Sequence, residues 1–383
     1  MKKYCLFFIL LYLLFSMVSI SLIQISLSLA FFCWLILHIK QKTWPRFPSF
    51  FWPLIVYCLF SLLSSFQSVN PGISMVDSRE LLLFLVVPIT FAALSSEKNL
   101  KKVNYAFLIS AGASGSYSLF AFFFLAEPGE RIMGFMGHWM TQAGLLLLFC
   151  SFALSLFLLS KERSRILWAS GCVLGSMALV LTLTRSAWIG LAFAAALVLA
   201  FYKPKTLVLI PVVIALFFLL SPQSVKRRAL SIFSKRHYSN TQRIEYFQAG
   251  IQIIKEKPIF GTGPCTVDMV FQNPKYGLSE GAKRNVHLHS NIIQIGAERG
   301  IPALLAWLTF IGWAAITLLK LLRDNDPPNR PVTVGALAAL VGMFVAGFFE
   351  YNFGDSEITV LFLYLITLPF AVAKMKGTGF PKN

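Results

Sequence analysis

Apolar runs separated by short polar breaks make up most of this chain. One run extends from Tyr4 to about Ile39. Others follow at about 50–66, 80–96, 103–126, 138–160, 166–183, 186–202, 206–220, 301–322, 332–350 and 356–373. A helix needs about 20 apolar residues to cross a bilayer, within a range of about 17–25. The first run is too long for one helix, and Ser19, Ser21 and Gln24 mark a break within it. The pattern predicts an all-α polytopic membrane protein with about twelve transmembrane helices. Lys2 and Lys3 ahead of an apolar run look like the start of a signal peptide. The run outlasts the about 7–15 apolar residues of such a segment and shows no small-residue cleavage site, so these helices are expected to stay.

One interval breaks the alternation. Residues 221–300 form an 80-residue connection carrying 12 Lys/Arg against 5 Asp/Glu. Connections this long are usually functional. Within it, Ile244, Phe247, Ile251 and Ile254 recur at helical spacing, predicting an amphipathic helix over 241–256 that ends at Lys257-Pro258. The chain then divides into nine spans (1–220), a large loop with short helices (221–300), and three spans with a tail (301–383). Basic residues gather in every second short loop: Lys2 and Lys3; Lys40, Lys42 and Arg46; Lys98, Lys101 and Lys102; Lys161, Arg163 and Arg165; Lys203 and Lys205; Arg323 and Arg330; Lys374, Lys376 and Lys382. The positive-inside bias then predicts that both termini are cytoplasmic and the large loop lies outside.

Composition agrees. Hydrophobic residues are 57% and charged residues 13%, against about 45–50% and about 25% in soluble domains. This excludes a soluble enzyme, a disordered chain and a disulfide-stapled secreted domain. The formal charge of +18 points, on a membrane chain, to anionic lipid head groups and anionic substrates rather than nucleic acid. Five of the six cysteines lie in apolar runs, Cys265 is the exception, and no CxxC spacing exists.

Ionisable groups at the edges of spans are costly and demand an explanation. Arg185, in Thr184-Arg185-Ser186, sits between two spans joined by almost no loop. It either snorkels to the interface or presents a fixed guanidinium suited to phosphate. Arg243 is either an ordinary charged position on the loop helix, near Glu245, or a second such group. Pro258 to Pro264 reads as a structural turn, since its G-x-G has no preceding strand. His287 and His289 precede Ser290-Asn291, Gln294, Glu298, Arg299 and Gly300. Histidines two apart do not share a helix face, so a metal site is not expected; a histidine here either caps or packs a helix start, or serves as a proton acceptor near neutral pH. His138 and His237 are remote in sequence. Glu350, Asn352 and Asp355, in Glu350-Tyr351-Asn352-Phe353-Gly354-Asp355-Ser356-Glu357, form a hydrated, capped turn, pair with loop arginines, or line a sugar site.

Four pieces in this order resemble the O-antigen ligase and polymerase superfamily: Thr184-Arg185-Ser186 with Gly190; Arg243 followed by the Pro258-to-Gly263 turn; His289-Ser290-Asn291 with Gln294, Glu298 and Gly300; and Asn352-Phe353-Gly354-Asp355. The resemblance implies a glycosyltransferase of GT-C-like architecture in a bacterial inner membrane with a periplasmic active site. It implies transfer of a glycan from an undecaprenyl-diphosphate carrier to lipid A-core, without metal or other cofactor and with inversion. Arg185 and Arg243 would hold the diphosphate and His289 would be the base, with His287 the runner-up. Arg131, before Gly134-Phe135-Met136-Gly137-His138, is a further candidate for either substrate, as are Arg299, Glu350, Asn352 and Asp355. The single large loop favours a ligase over a polymerase, and relatives acting on another acceptor, such as protein, look longer. A transporter of lipid-linked glycans would instead predict charges near the middle of several spans.

Overall fold

The computed structural model describes residues 2–127, 129–234, 238–323 and 329–376; His237 and Lys382 lie outside them. Sixteen α-helices and several 3-10 turns account for the regular structure among these residues. The long first run is broken as its polar residues predict. It gives α1 (Lys2–Phe15) and α2 (Ile20–Gln41), and the Ser19 side chain caps α2 by accepting from the Leu22 amide. Then come α3 (Phe51–Phe66), α4 (Pro71–Asp77), α5 (Val86–Ala93), α6 (Glu97–Phe124), α7 (Trp139–Leu159), α8 (Arg165–Leu181), α9 (Arg185–Tyr202) and α10 (Leu209–Leu220). The large loop holds α11 (Gln223–Leu230), α12 (Tyr238–Glu256) and α13 (Val267–Val270). Last are α14 (Asn291–Arg323), α15 (Arg330–Ala346) and α16 (Ser356–Met375).

Six helices, α2, α6, α7, α9, α14 and α16, are long and apolar enough to cross a membrane; α3, α8, α15 and the stretch Pro204–Leu220 are shorter apolar helices. Helices α7 and α16 are buried along most of their length and form the centre, with α15, α8 and α9 against α7 and α5 against α16. The span expected at 80–96 is not one helix. A 3-10 turn over Ser78–Leu85 leads into the eight-residue α5. Pro88 has no amide hydrogen and crowds the carbonyl of Phe84, which explains why a regular helix does not run through.

The loop segment has its own core, in which Tyr246, Ala249 and Ile253 of α12 meet Phe271, Leu288 and Ile293. Helix α12 was expected to bury Ile244 and Phe247, yet each is 56% exposed. The face turned inward carries Ala249 and Gly250, where any side chain on Gly250 would strike Ile293. Close approach to α14 selects the face with small residues, a signal that counting large apolar residues misses.

A break at residue 300 divides α14 into two helical stretches. This helix is kinked at Gly300, whose φ of 79° is a left-handed conformation. A Cβ there would strike the Ile259 carbonyl. The kink lets Ile301 N donate to Pro258 O (2.7 Å), and just ahead of it Thr262 N and Gly263 N donate to Ala297 O and Glu298 O. The Gly/Pro turn is thus a structural clamp between loop and helix.

Candidate functional site

The start of α14 is tied to the α15–α16 connection. Asn291 N donates to Gly347 O (2.8 Å), Asn291 Nδ2 donates to Asn352 Oδ1 (2.7 Å), and Asn291 Oδ1 accepts from Phe353 N (3.0 Å). This brings Glu350 beneath the segment His287-Leu288-His289. Leu288 turns into the loop core, and the rings of the histidines on either side of it come together. Their ring centroids are 4.4 Å apart. His287 Nε2 lies 3.0 Å from Glu350 Oε1, and His289 Nδ1 lies 3.2 Å from both carboxylate oxygens. Spacing two apart excluded a shared helix face, but the segment is not helical.

The charges reinforce one another. Burial alone would raise the Glu350 pKa, but the charge of His289 and the hydrogen bonds from both histidines hold it well below the usual carboxylate range. Burial pulls the His287 pKa down, yet the hydrogen bond and charge of Glu350 outweigh it and the net shift is upward. With Glu350 ionised, each imidazole donates one N–H to it. That leaves His289 Nε2 and His287 Nδ1 facing elsewhere. His289 holds a φ of 50°, a left-handed conformation that a residue with a side chain adopts only at a cost of about 1–3 kcal/mol. The donor atoms of His287, His289 and Glu350 lie within 4.8 Å of one another, so the same three groups have the ligand chemistry to hold a divalent cation.

A second group forms around the break between α8 and α9. Leu183 there has a φ of 52°. Its carbonyl accepts from Arg131 Nη2 (2.9 Å) and from Arg228 Nε (3.1 Å). Arg131 also stacks over Trp139, 4.7 Å from its centroid. Arg185, at the first turn of α9, is buried and donates to Ser231 Oγ, Ser239 Oγ and Asn240 Oδ1. Arg243 lies one turn before Tyr246, whose ring is 5.5 Å from His289. Burial, followed by the charge of Arg228, lowers the Arg131 pKa to about 10, and Arg185 and Arg243 add to the effect. The pKa of Arg228 is lowered by burial and then by Arg243, and that of Arg243 by burial, with Glu350 pushing back. Among the described residues none of these four arginines forms a carboxylate salt bridge. The chain thus gathers four guanidiniums, three of them held by carbonyls, hydroxyls and an amide. Such a set has an excess of positive charge, which suits an anion.

Sequence reasoning missed Arg228, on the short helix α11. It stands beside Arg227 in a basic run, and nothing in the sequence separates the arginine that turns inward from the exposed one. It also set His138 aside as remote. His138 lines the cavity next to His287 and Glu350, and burial lowers its pKa.

The remaining candidates are engaged within the fold. Arg299 is buried and pairs with Glu298 (2.9 Å) and Asp77 (3.2 Å), and donates to Tyr351 Oη (3.0 Å). Asn352 spends both ends of its amide on Asn291 and the Met343 carbonyl. Asp355 caps α16 by accepting from Ile358 N (3.2 Å) and also accepts from the Thr141 hydroxyl. Burial, then its interaction with Glu357, pushes its pKa up to about 8. Arg299, Asn352 and Asp355 nevertheless share the walls of one cavity with His287 and Glu350.

Residues 170–308, about a third of the chain, match the family described as O-antigen ligase. The matched stretch contains Arg185, Arg228, Arg243, His287, His289 and Arg299, and leaves Arg131 and Glu350 outside it. A search among curated proteins returns no match.

Proposed function

We propose that this chain is a member of the O-antigen ligase/polymerase superfamily and acts as a ligase. In this reading it transfers a glycan from undecaprenyl diphosphate to a sugar hydroxyl of lipid A-core, at the periplasmic face of a bacterial inner membrane. The observation that carries the reading is a pair of histidines on one ionised carboxylate, flanked by four arginines with no carboxylate partner among the described residues.

The donor's diphosphate is held by Arg185 and Arg243, with Arg228 and Arg131 as the second pair. Their charge stabilises the leaving group as the bond to it breaks. His289 Nε2 takes the proton of the acceptor hydroxyl while its Nδ1–H stays on Glu350. The acceptor oxygen attacks the anomeric carbon from the face opposite the diphosphate. The bond between that carbon and the phosphate oxygen breaks, and its electron pair leaves with the carrier diphosphate. One displacement inverts the anomeric centre, and a base of this kind contributes about 10²–10⁴-fold. A polymerase acts on the same carrier; the single large loop favours the ligase.

The test is a deletion strain. Its lipopolysaccharide should lose long chains while polymer accumulates on the lipid carrier. A core carrying one repeat unit and no ladder would instead identify a polymerase. In the purified protein, His289→Ala, Arg185→Ala and Arg243→Ala should each abolish transfer with membrane insertion intact. Full activity in His289→Ala together with loss in His287→Ala would move the base to His287, which lines the cavity. Transfer should survive a chelator; loss restored by a divalent ion would make the His287, His289 and Glu350 group a metal site.

A further inference from the structure

Two cavities meet next to the histidine–carboxylate group. The first, of about 290 Å³, has His287 and Glu350 on one wall and Asp77, Glu80, Glu298 and Asp355 on the others. The arginine on its wall, Arg299, is already taken by Glu298 and Asp77. Glu298 is 1% exposed, and its Oε1 has no hydrogen-bond partner among the described residues. A buried acceptor left unpaired is costly, and a hydroxyl entering the cavity would satisfy it. Glu80 is exposed and makes no hydrogen bond or ion pair among the described residues. The second cavity, of about 720 Å³, runs between α2 and the segment 73–89, with Leu27, Phe31, Phe32 and Ile89 on its walls. Both cavities are lined by Asp77, Glu80 and Leu83.

The charges therefore sort by side. Four arginines gather around the Leu183 break and α12, and none of them lines the cavity, where Asp77, Glu80 and Glu298 stand instead. A diphosphate is drawn to the first and repelled by the second. Resting on the transferase reading, we infer that the acidic cavity receives the acceptor as a sugar unit without phosphate or carboxylate substituents, neutral or aminated. Its lipid chain lies in the adjoining groove, and Glu80, at the junction, enforces the choice. Hydroxyls donate to Glu298 and Glu80, whereas an anionic substituent meets like charge with no free cation to offset it. Selection by repulsion keeps the two lipid-linked substrates from exchanging places.

The test uses the full-length protein in nanodiscs with no donor present. Two glycolipids share one acyl anchor, and one carries a hexose head, the other a hexose phosphate. The wild type should bind the hexose lipid about tenfold tighter or more. Glu80→Gln should narrow that ratio and Glu80→Lys should narrow it further or reverse it. Neither change disturbs a contact inside the fold. Ser28→Trp, which fills the groove from an exposed position on α2, should weaken both lipids alike. Equal affinity for the two heads in the wild type, or an unchanged ratio in Glu80→Lys, overturns the inference, and unaltered binding in Ser28→Trp overturns the groove assignment. Because binding is read without transfer, the two readings fail separately. Charge-selective binding without transfer to any acceptor counts against the transferase. Transfer with no charge preference counts against the cavity.

Discussion

Glu350 is a buried carboxylate that remains ionised because two imidazoles stand against it, and each imidazole is oriented by the oxygens it shares. Replacing it with an amide removes the charge and leaves a group that can donate as well as accept, so the histidine tautomers are no longer fixed. Glu350→Gln should lower kcat by about 10²-fold or more, approaching loss of the base itself. The direction of the pH effect follows from His287, whose pKa Glu350 raises against the pull of burial. Without that charge burial prevails, and the His287 imidazole should stay neutral to lower pH, which an NMR titration of its ring reads. An unmoved His287 titration in Glu350→Gln would mean that Glu350 only packs. Arg228 makes a parallel case. It is fixed through Nε to Leu183 O, leaving its terminal nitrogens for an anion. Arg228→Ala should raise the donor KM by about tenfold or more, as expected for a charged hydrogen bond, about 1.5–3 kcal/mol. Arg228→Lys should recover little, because lysine has no Nε–H to hold the carbonyl while also reaching the phosphate. Steady-state kinetics with varied donor separates these outcomes from a loss of fold.

At the scale of elements, the sequence displayed what hydropathy and capping control. The break at Ser19, the boundaries of most long helices, the loop helix near 241–256 and the turn before Gly261 were all legible. The order of the arginine and histidine pieces was legible too, through resemblance. The broken segment at 78–93 was not, because its apolar content masks the effect of Pro88. The convergence of His287 and His289 was not, because a helix was the assumed geometry and the segment is a bent loop with His289 in a left-handed conformation. Arg228 and His138 reach the site only through contacts distant in sequence. Gly300 shows how closely local backbone governs the site: its left-handed φ lets α14 bend around the Pro258–Gly263 turn. That fixes the register of Asn291 and, through it, the distance between the histidines and Glu350. Gly300→Ala combines backbone strain of about 1–3 kcal/mol with a clash on the Ile259 carbonyl. It should lower the thermal unfolding temperature of the purified protein and reduce transfer, although residue 300 touches no substrate. Wild-type stability and activity in this variant would show that the kink is incidental.

The connections of the whole molecule sort to two ends. At one end Val69 N donates to Thr262 O, Ile132 N to Leu181 O, Arg228 Nε to Leu183 O and Asn291 N to Gly347 O. The loops after α3, α6, α8, α10 and α15 are therefore together. At the other, Lys374 Nζ donates to Phe91 O, Arg330 Nη2 to Phe201 O, and Lys101 pairs with Glu162. A chain that leaves the first end after α3 and returns there after α6 must cross in between by way of the broken segment ending in α5. Likewise α9 leaves that end and Pro204–Leu220 must bring the chain back. Helix α10 has only 12 residues, about 18 Å at 1.5 Å per residue, so a bilayer crossing there would draw on its 3-10 lead-in and on local thinning. Both weak crossings are needed for the basic loops to share one side, as the positive-inside bias requires. Single cysteines in a variant lacking the native ones settle this with a membrane-impermeant maleimide. Ser234→Cys and Gln67→Cys should label in intact spheroplasts, and Lys161→Cys and Lys203→Cys only after permeabilisation. Protection of Ser234→Cys in intact spheroplasts would put the large loop on the cytoplasmic side, and the arginines and histidines could not then meet a glycan carried on the outer leaflet.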